Sequence, residues 1–248
     1  MTNRVQKWPS HLVIVRHAES QRNVGKENAT AAGALAYGSQ IRDMDVALTE
    51  RGVKQAEATG VHLGAEFKFD RVFTSPFTRT VQTAQLITAQ FPYAVEITEE
   101  ERLREIDFGI LDGLTKHGIA QHHPDEAARR AKLGKYWHRP PAGENYADVA
   151  LRVHSFLSTL TRECAGETVL VVCHSVVVMI FRKLLERMTE QQLMEIDRNK
   201  TQDVANCGVT HYAFDPSAGA NGKLVKRVYN AVYYPDDLRP QAVAHAGL

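Results

Sequence analysis

Two arginines and two histidines stand directly after short apolar runs or at the start of a helix-like segment. Arg16 and His17 follow the run LVIV, and His174 follows the run VLVVC. Arg79 lies in the segment TSPFTRT, where a strand would end and a helix would begin. A helix N-terminus offers unpaired N–H groups to an anion, and the planar guanidinium group matches phosphate oxygens. Because unpaired cations repel each other, the cluster predicts a bound dianion.

The elements that would position these residues alternate between strands and helices. Strands are predicted at residues 12–15, 70–74, 93–100, 168–173, 208–215 and 223–233, and helices at residues 47–64, 77–91, 145–164 and 175–188. This alternation predicts an α/β fold: a single-domain three-layer sandwich, with a mostly parallel central sheet and helices on both faces. In such a sheet ligands bind beyond the carboxyl ends of the strands, so the four residues would converge there.

Two segments have no clear hydrophobic period. Residues 24–45 are predicted to form a long loop or an irregular helix, and residues 106–142 to form loops and short helices that cover the site. Because no linker divides the chain, residues 1–248 are predicted to form one domain. The tail, residues 236–248, is open to two interpretations: a flexible end, or a segment that crosses to a second copy in a homo-oligomer.

Composition excludes several classes of partner. The 248 residues carry a formal net charge of +1, which gives no overall attraction to nucleic acid or to an acidic membrane. Cys164, Cys173 and Cys207 are odd in number and widely spaced, which favours reduced thiols and a cytoplasmic location. The N-terminus has no apolar segment typical of a signal peptide, and no apolar run is long enough to span a bilayer.

The segment ERLREIDFGILDGL adds a carboxyl group to the candidate site. Glu105 lies in a stretch expected to fold over the mouth of the site, where a partly desolvated carboxyl can carry a proton for a leaving group. Glu101, in contrast, is expected to be solvated. A metal site at His122 and His123 is disfavoured, because adjacent side chains diverge and no third ligand lies at a suitable spacing.

Six motifs in order resemble those of the histidine phosphatase superfamily, also called the phosphoglycerate mutase-like family. They are VRHAESQRN, ALTERGVKQA, TSPFTRTVQTA, RLREIDFG, PPAGENYADV and VVCHS, and their order and spacing match from about Leu12 to Met188. One Arg-His-Ala-Glu motif alone would be a weak signal, whereas six in sequence are specific. The resemblance implies the phosphoglycerate mutase-like fold and an enzyme that transfers a phosphoryl group without a metal or another cofactor.

The resemblance also implies a role for each matched residue. His17 would be the nucleophile that becomes phosphohistidine, and Glu105 would be the proton donor. The phosphoryl group would be surrounded by side chains from several elements: Arg16, Arg79 and His174, with Asn23 as a further hydrogen-bond donor.

Three features depart from the pattern of the family. Ala18 and Ser175 stand where a glycine usually follows each catalytic histidine. Alanine is small enough to preserve the turn, and Ser175 is interpreted either as a donor to phosphate or as the cap of the next helix. The link from residue 24 to the LTE motif is longer than usual, and Ser39 is a candidate within it to contact the phosphate.

Three functions follow from this site. The leading hypothesis is a metal-independent phosphomonoesterase acting on a small phosphorylated metabolite, and the second is a phosphoglycerate mutase. A third is a member that binds without turnover, which has little support because all matched catalytic positions are filled. The mutase hypothesis needs clustered arginines between the acid motif and PPAGEN; Arg129 and Arg130 are the nearest candidates, but DEAARRAKLG is typical of a solvated helix face.

An aromatic cluster precedes the Pro-Gly-Glu motif, as in a less characterised group of phosphatase-like members. Tyr136, Trp137 and His138 are predicted either to line the substrate side of the site or to pack a lid. The sequence leaves both interpretations open, and the substrate is not identified.

Overall fold

A six-stranded sheet runs through the part of the chain that the computed structural model describes, residues 6–37, 41–199 and 203–240. Its strands are β1 (His11–Arg16), β2 (Arg71–Thr74), β3 (Ile97–Glu99), β4 (Thr168–Cys173), β5 (Val209–Asp215) and β6 (Lys223–Ala231). The order across the sheet is β3-β2-β4-β1-β5-β6. Strands β1 to β4 pair in parallel, whereas β5 and β6 join as an antiparallel edge.

Eight α-helices accompany the sheet within the described ranges. They are α1 (Gln21–Ala31), α2 (Glu50–Glu66), α3 (Thr78–Thr88), α4 (Lys116–His122), α5 (Pro124–Trp137), α6 (Tyr146–Glu163), α7 (Ser175–Leu185) and α8 (Glu190–Arg198). Thr49 caps α2, because its hydroxyl accepts a hydrogen bond from the Gly52 amide at 3.0 Å.

The two faces of the sheet are covered by different helices, as alternation along the strands requires. Leu12 and Ile14 of β1 pack in a core with α6 and α7, whereas Val13 and Val15 pack in a second core with α2 and α3. All four β1 side chains are fully buried, and each such burial contributes about 1.5–3 kcal/mol to folding. The fold is therefore a single α/β domain of three layers, as predicted.

The register of the sheet brings three strand ends to the same height. Arg16, the last residue of β1, is level with Cys173, the last residue of β4. The His17 amide continues this pairing by donating to the Cys173 carbonyl at 2.9 Å. The Ser75 amide donates to the Val172 carbonyl at 3.0 Å, so β2 ends beside β4. Parallel pairing therefore fixes the relative positions of the residues that follow these strands.

The irregular segments contain more helix than the sequence indicated. Helix α1 begins before residue 24, and α5 extends over Pro124–Trp137 with a kink at Gly134, where φ is +79°. Helix α8 was not predicted. It is only nine residues long, with Leu193 and Met194 as its buried residues, and Thr189 and Gln192 form a capping box at its start.

Other expectations concern the cysteines, the membrane and the chain end. All three cysteines are buried and free. Within the described ranges, no helix is long and apolar enough to cross a bilayer, and no group of three or more metal-ligating side chains occurs. In the tail, Asp236–Leu238 forms a single 3-10 turn, whereas residues 241–248 and Ser39 lie outside the described residues.

Candidate active site

A cavity of about 940 Å³ opens at the carboxyl ends of β1, β2 and β4. Six of the seven predicted site residues line it: Arg16, His17, Asn23, Arg79, Glu105 and Ser175. The seventh, His174, is fully buried beside His17, with their ring centroids 5.3 Å apart in an edge-to-face arrangement. The structure therefore brings the predicted residues together at the edge of the sheet where ligands bind in such folds.

His17 is held as a neutral imidazole with one nitrogen available. Its Nδ1 lies 2.7 Å from the Ala18 carbonyl, to which it can only donate, so Nδ1 carries the proton. Among the residues that the structure describes, Nε2 makes no hydrogen bond. Burial, with the nearby Arg79 and Arg16 cations, lowers the pKa of His17 well below its usual range. Nε2 is consequently an unprotonated lone pair at neutral pH, as a nucleophile requires.

His174 is oriented by a hydroxyl group from the next strand. Its Nε2 lies 2.8 Å from Ser75 Oγ, while its buried Nδ1 has no partner in the described part of the chain. Burial and the Arg79 cation lower the pKa of His174 well below its usual range. If Nε2 accepts from the Ser75 hydroxyl, Nδ1 carries the proton and is an unsatisfied donor. A buried donor of this kind favours binding of an acceptor such as a phosphate oxygen.

Arg16 and Arg79 are both held by hydrogen bonds, but each has N–H groups that these hydrogen bonds do not use. Arg16 Nη1 donates to the Val204 carbonyl, and its buried Nε has no partner among the described residues. Arg79 is 3% exposed, and its Nη atoms donate to the backbone and side chain of Asp43. The ring of Phe77 lies 4.9 Å from the Arg79 guanidinium carbon, a distance at which a cation–π contact stabilises the charge.

Asn23 combines a structural contact with a free amide group. Its Oδ1 accepts from the backbone and hydroxyl of Ser20, at 3.0 and 2.9 Å, which caps α1. Oδ1 also accepts from Asn206 Nδ2 at 3.3 Å, and Asn206 donates to the His17 carbonyl at 3.1 Å. Since three donors identify the oxygen, the Nδ2 group of Asn23 is the end left to donate to a ligand in the cavity.

Glu105 is placed to hold a proton. Burial raises the pKa of its carboxyl group, partly opposed by a hydrogen bond from the Ile106 amide and by the nearby arginines. The Ile106 amide donates to Oε1 at 3.0 Å, and Arg152 Nη2 donates to the Glu105 carbonyl at 3.2 Å. Arg152 also forms an ion pair with Glu144, so it links the backbone of Glu105 to Glu144. A raised pKa favours the protonated form that a proton donor needs.

Two predictions about neighbouring residues need correction. Ser175 does not cap α7: the N-cap is His174, and Ser175 is the first helical residue with its side chain at the cavity. The interpretation as a donor to phosphate stays a prediction. Arg129 is exposed and paired with Glu126, as a solvated face requires, but Arg130 of the same helix lines the cavity.

The aromatic cluster divides between the two interpretations. Tyr136 is buried in the core beside α6, and Trp137 is half-exposed with its Nε1 donating to Glu190 at 2.6 Å. Only His138 lines the cavity, and its Nε2 lies 2.9 Å from Glu126 Oε2. These residues therefore mainly pack the outer wall of the site.

Several site residues were missed by the sequence interpretation. Ser75 had a signal, because it ends a strand in the same motif as Arg79. Asp43 lies in a segment interpreted as irregular, and Asn206 follows no apolar run, so neither had a pattern that would indicate a contact with the cluster.

Comparison with known proteins agrees with this geometry. The sequence model of the histidine phosphatase superfamily (branch 1) matches residues 12–225. A 2,3-bisphosphoglycerate-dependent phosphoglycerate mutase from Sinorhizobium fredii is 36% identical over 200 residues, covering 75% of this chain and 84% of the mutase.

Solved structures show the same fold at lower identity. The alpha-ribazole phosphatase from Shigella flexneri has a TM-score of 0.70 and 21% identity, covering 89% of this chain and 96% of that protein. A mycobacterial glucosyl-3-phosphoglycerate phosphatase complexed with inorganic phosphate has a TM-score of 0.68 and 20% identity, covering 90% and 98%. With six ordered motifs, a matching family model and this fold, the chain belongs to the histidine phosphatase superfamily.

Proposed function

We propose that this chain is a metal-independent phosphomonoesterase that hydrolyses a small phosphorylated metabolite through phosphohistidine on His17. The observation that carries the proposal is the state of His17: neutral, lining the cavity, with Nδ1 bound to the Ala18 carbonyl and Nε2 making no hydrogen bond to a described residue. The buried Arg16 Nε and His174 Nδ1, which have no partner among the described residues, support it, because a phosphoryl group offers acceptors to Arg16 Nε and, in the tautomer with a proton on Nδ1, to His174.

The first half-reaction transfers the phosphoryl group to the enzyme. His17 Nε2 forms a bond to phosphorus as the bond to the ester oxygen breaks, and Glu105 gives its proton to the departing alkoxide. Charge spreads over the equatorial oxygens in the loose transition state, where Arg16, Arg79 and His174 donate to them.

The second half-reaction regenerates the enzyme. Water attacks phosphorus while its proton passes to the Glu105 carboxylate, and the bond to Nε2 breaks to release inorganic phosphate. Glu105 is protonated again and His17 is again neutral, so atoms and charge balance over the cycle.

Trapping the intermediate tests the proposal. The protein is mixed with a ³²P-labelled phosphate ester in EDTA and quenched, and label that is stable in alkali but lost in acid identifies phosphohistidine. We expect label and turnover in the unmodified protein and neither in His17→Ala. His11→Ala changes a histidine at the other end of β1, away from the cavity, and should retain both. Retention of label in His17→Ala would assign the nucleophile elsewhere.

A phosphoglycerate mutase is the second candidate. The identity to the Sinorhizobium fredii mutase favours it, as do two cavity cations, Lys26 and Arg130, for which the described residues provide no carboxylate partner. Such cations suit a substrate with a second anionic group. Isomerisation of 3-phosphoglycerate faster than its hydrolysis, followed by ³¹P NMR, would favour the mutase over the phosphatase.

A further inference from the structure

The Asp43 carboxylate is hydrogen-bonded to Arg79, the arginine predicted to bind phosphate. Arg79 Nη1 donates to the Asp43 carbonyl at 2.7 Å and to Oδ1 at 2.9 Å, and Arg79 Nη2 donates to Oδ2 at 3.2 Å. This is the bidentate arrangement in which arginine also holds phosphate. The proposed reaction uses Arg79 but leaves Asp43 without a role.

A phosphoryl group and Asp43 would compete for the Nη donors of Arg79. Guanidinium has five N–H groups, and three of those on Arg79 are engaged by Asp43. A phosphoryl dianion that bound the Nη end of Arg79 would meet the Asp43 carboxylate at the same position, where like charges repel. Both residues line the cavity, so the conflict occurs inside the proposed site.

Asp43 has a second cation to which it can remain bound. Arg22 Nε lies 2.9 Å from Asp43 Oδ1, and Arg22 also pairs with Asp112. The side chains of Arg22 and Asp43 are 15% and 21% exposed, against 4% for Arg79, so the second contact lies nearer to solvent. Release of Arg79 therefore leaves the carboxylate paired and partly hydrated.

We propose that Asp43 occupies Arg79 in the free enzyme as an internal competitor of phosphate, and yields it to the phosphoryl group of the substrate. The inference rests on the proposed function, because it assigns Arg79 to the phosphoryl group. In the free enzyme Asp43 neutralises a buried cation, which would otherwise be costly. In the product complex it weakens the hold on inorganic phosphate and so favours its release.

Binding of inorganic phosphate without turnover tests the inference. Isothermal titration is carried out on the unmodified protein, Asp43→Asn and Asp43→Ala, and the inhibition constant of phosphate is measured in parallel. We expect phosphate to bind about tenfold more tightly to both variants, because the competing charge is gone. Asp45→Asn is the matched control: Asp45 lies in the same 3-10 turn, pairs with Arg42 and does not line the cavity.

The outcomes separate this inference from the proposed function. Unchanged or weaker phosphate binding in both Asp43 variants, with phosphohistidine still trapped on His17, contradicts the inference alone. A lower kcat together with weaker phosphate binding would instead make Asp43 a positioning residue for Arg79. Absence of phosphate binding to every variant and to the unmodified protein contradicts both proposals. Thermal melts establish that each variant is folded before its binding is compared.

Discussion

The inner and outer ends of the cavity are built in different ways. At the inner end, Arg16 is the last residue of β1, His17 and His174 directly follow β1 and β4, and all three are placed by the hydrogen bonds of the sheet. At the outer end, Lys26 and Lys135 project from α1 and α5, and both are exposed. Among the described residues, the buried Arg16 Nε and His174 Nδ1 of the inner end have no partner; at the outer end Lys135 is paired with Asp197 at 2.6 Å, and Lys26 has no carboxylate partner. The inner groups are therefore positioned by the sheet backbone, and the outer groups by surface helices.

The largest effect is expected when an arginine at the inner end of the cavity is replaced, and it is compared with replacement of an arginine at the outer end. Arg79→Ala should lower kcat/KM for an aryl phosphate by about 10³-fold, because a buried cation that stabilises the transferred phosphoryl group is lost. Arg130→Ala should lower it by less than about threefold, since this half-buried outer cation contributes little to a substrate without a second anion. Phosphate release measures both, with Arg129→Ala as the control on the same helix. Equal losses would remove the distinction between the two ends.

A smaller effect is expected at the proton donor. Glu105→Gln should lower the hydrolysis rate of an alkyl phosphate by about 10²-fold, because the alkoxide then leaves unprotonated. The loss should be smaller for 4-nitrophenyl phosphate, whose leaving group needs no proton. Glu101→Gln, an exposed carboxylate of the same segment, should have normal rates on both esters. Similar losses on the two esters in Glu105→Gln would mean that Glu105 supports the site without donating the proton.

The smallest effect concerns stability rather than rate. His17 and His174 have lowered pKa values in the folded protein, so the unfolded chain binds more protons once the pH falls below about 6.5. The unfolding free energy should therefore decrease as the pH falls from 6.5 toward the folded pKa values, by up to about 1.4 kcal/mol per pH unit for each histidine. Urea denaturation at several pH values measures the slope, and His174→Asn should reduce it. An unchanged slope in that variant would contradict the burial of a neutral imidazole.

The inner end was largely predictable from the sequence. A buried strand is a short apolar run, and a parallel sheet places the residues after such runs at one edge, so Arg16, His17 and His174 could be assigned together. The cap of α2 was also predictable, because Thr49 precedes a helical pattern. These features depend on local patterns and on one general rule of sheet geometry.

The outer end was less predictable, for physical reasons. Helix α1 has no buried residue, so no apolar stripe marks it within residues 24–45. The ion pair between Asp43 and Arg79 depends on the course of a loop across the edge of the sheet. The hydrophobic period of the sequence does not predict the conformation of such a loop. Ser175 was misinterpreted as a cap for a related reason: the cap position depends on the residue at which helical backbone begins, and α7 begins one residue earlier than a cap at Ser175 would require.

The strand order has a consequence for how the protein acquires its site. Strand β4 lies between β1 and β2, although it comes much later in the chain. The hydrogen bond between His174 and Ser75 and the one from Asn206 to the His17 carbonyl join residues 99 and 189 positions apart, respectively. Such long-range pairing forms slowly, because large loops must close first. A chain that ends before β4 lacks the strand that joins β1 to β2, so this edge of the sheet is complete only when the residues up to Asn206 have been synthesised and folded.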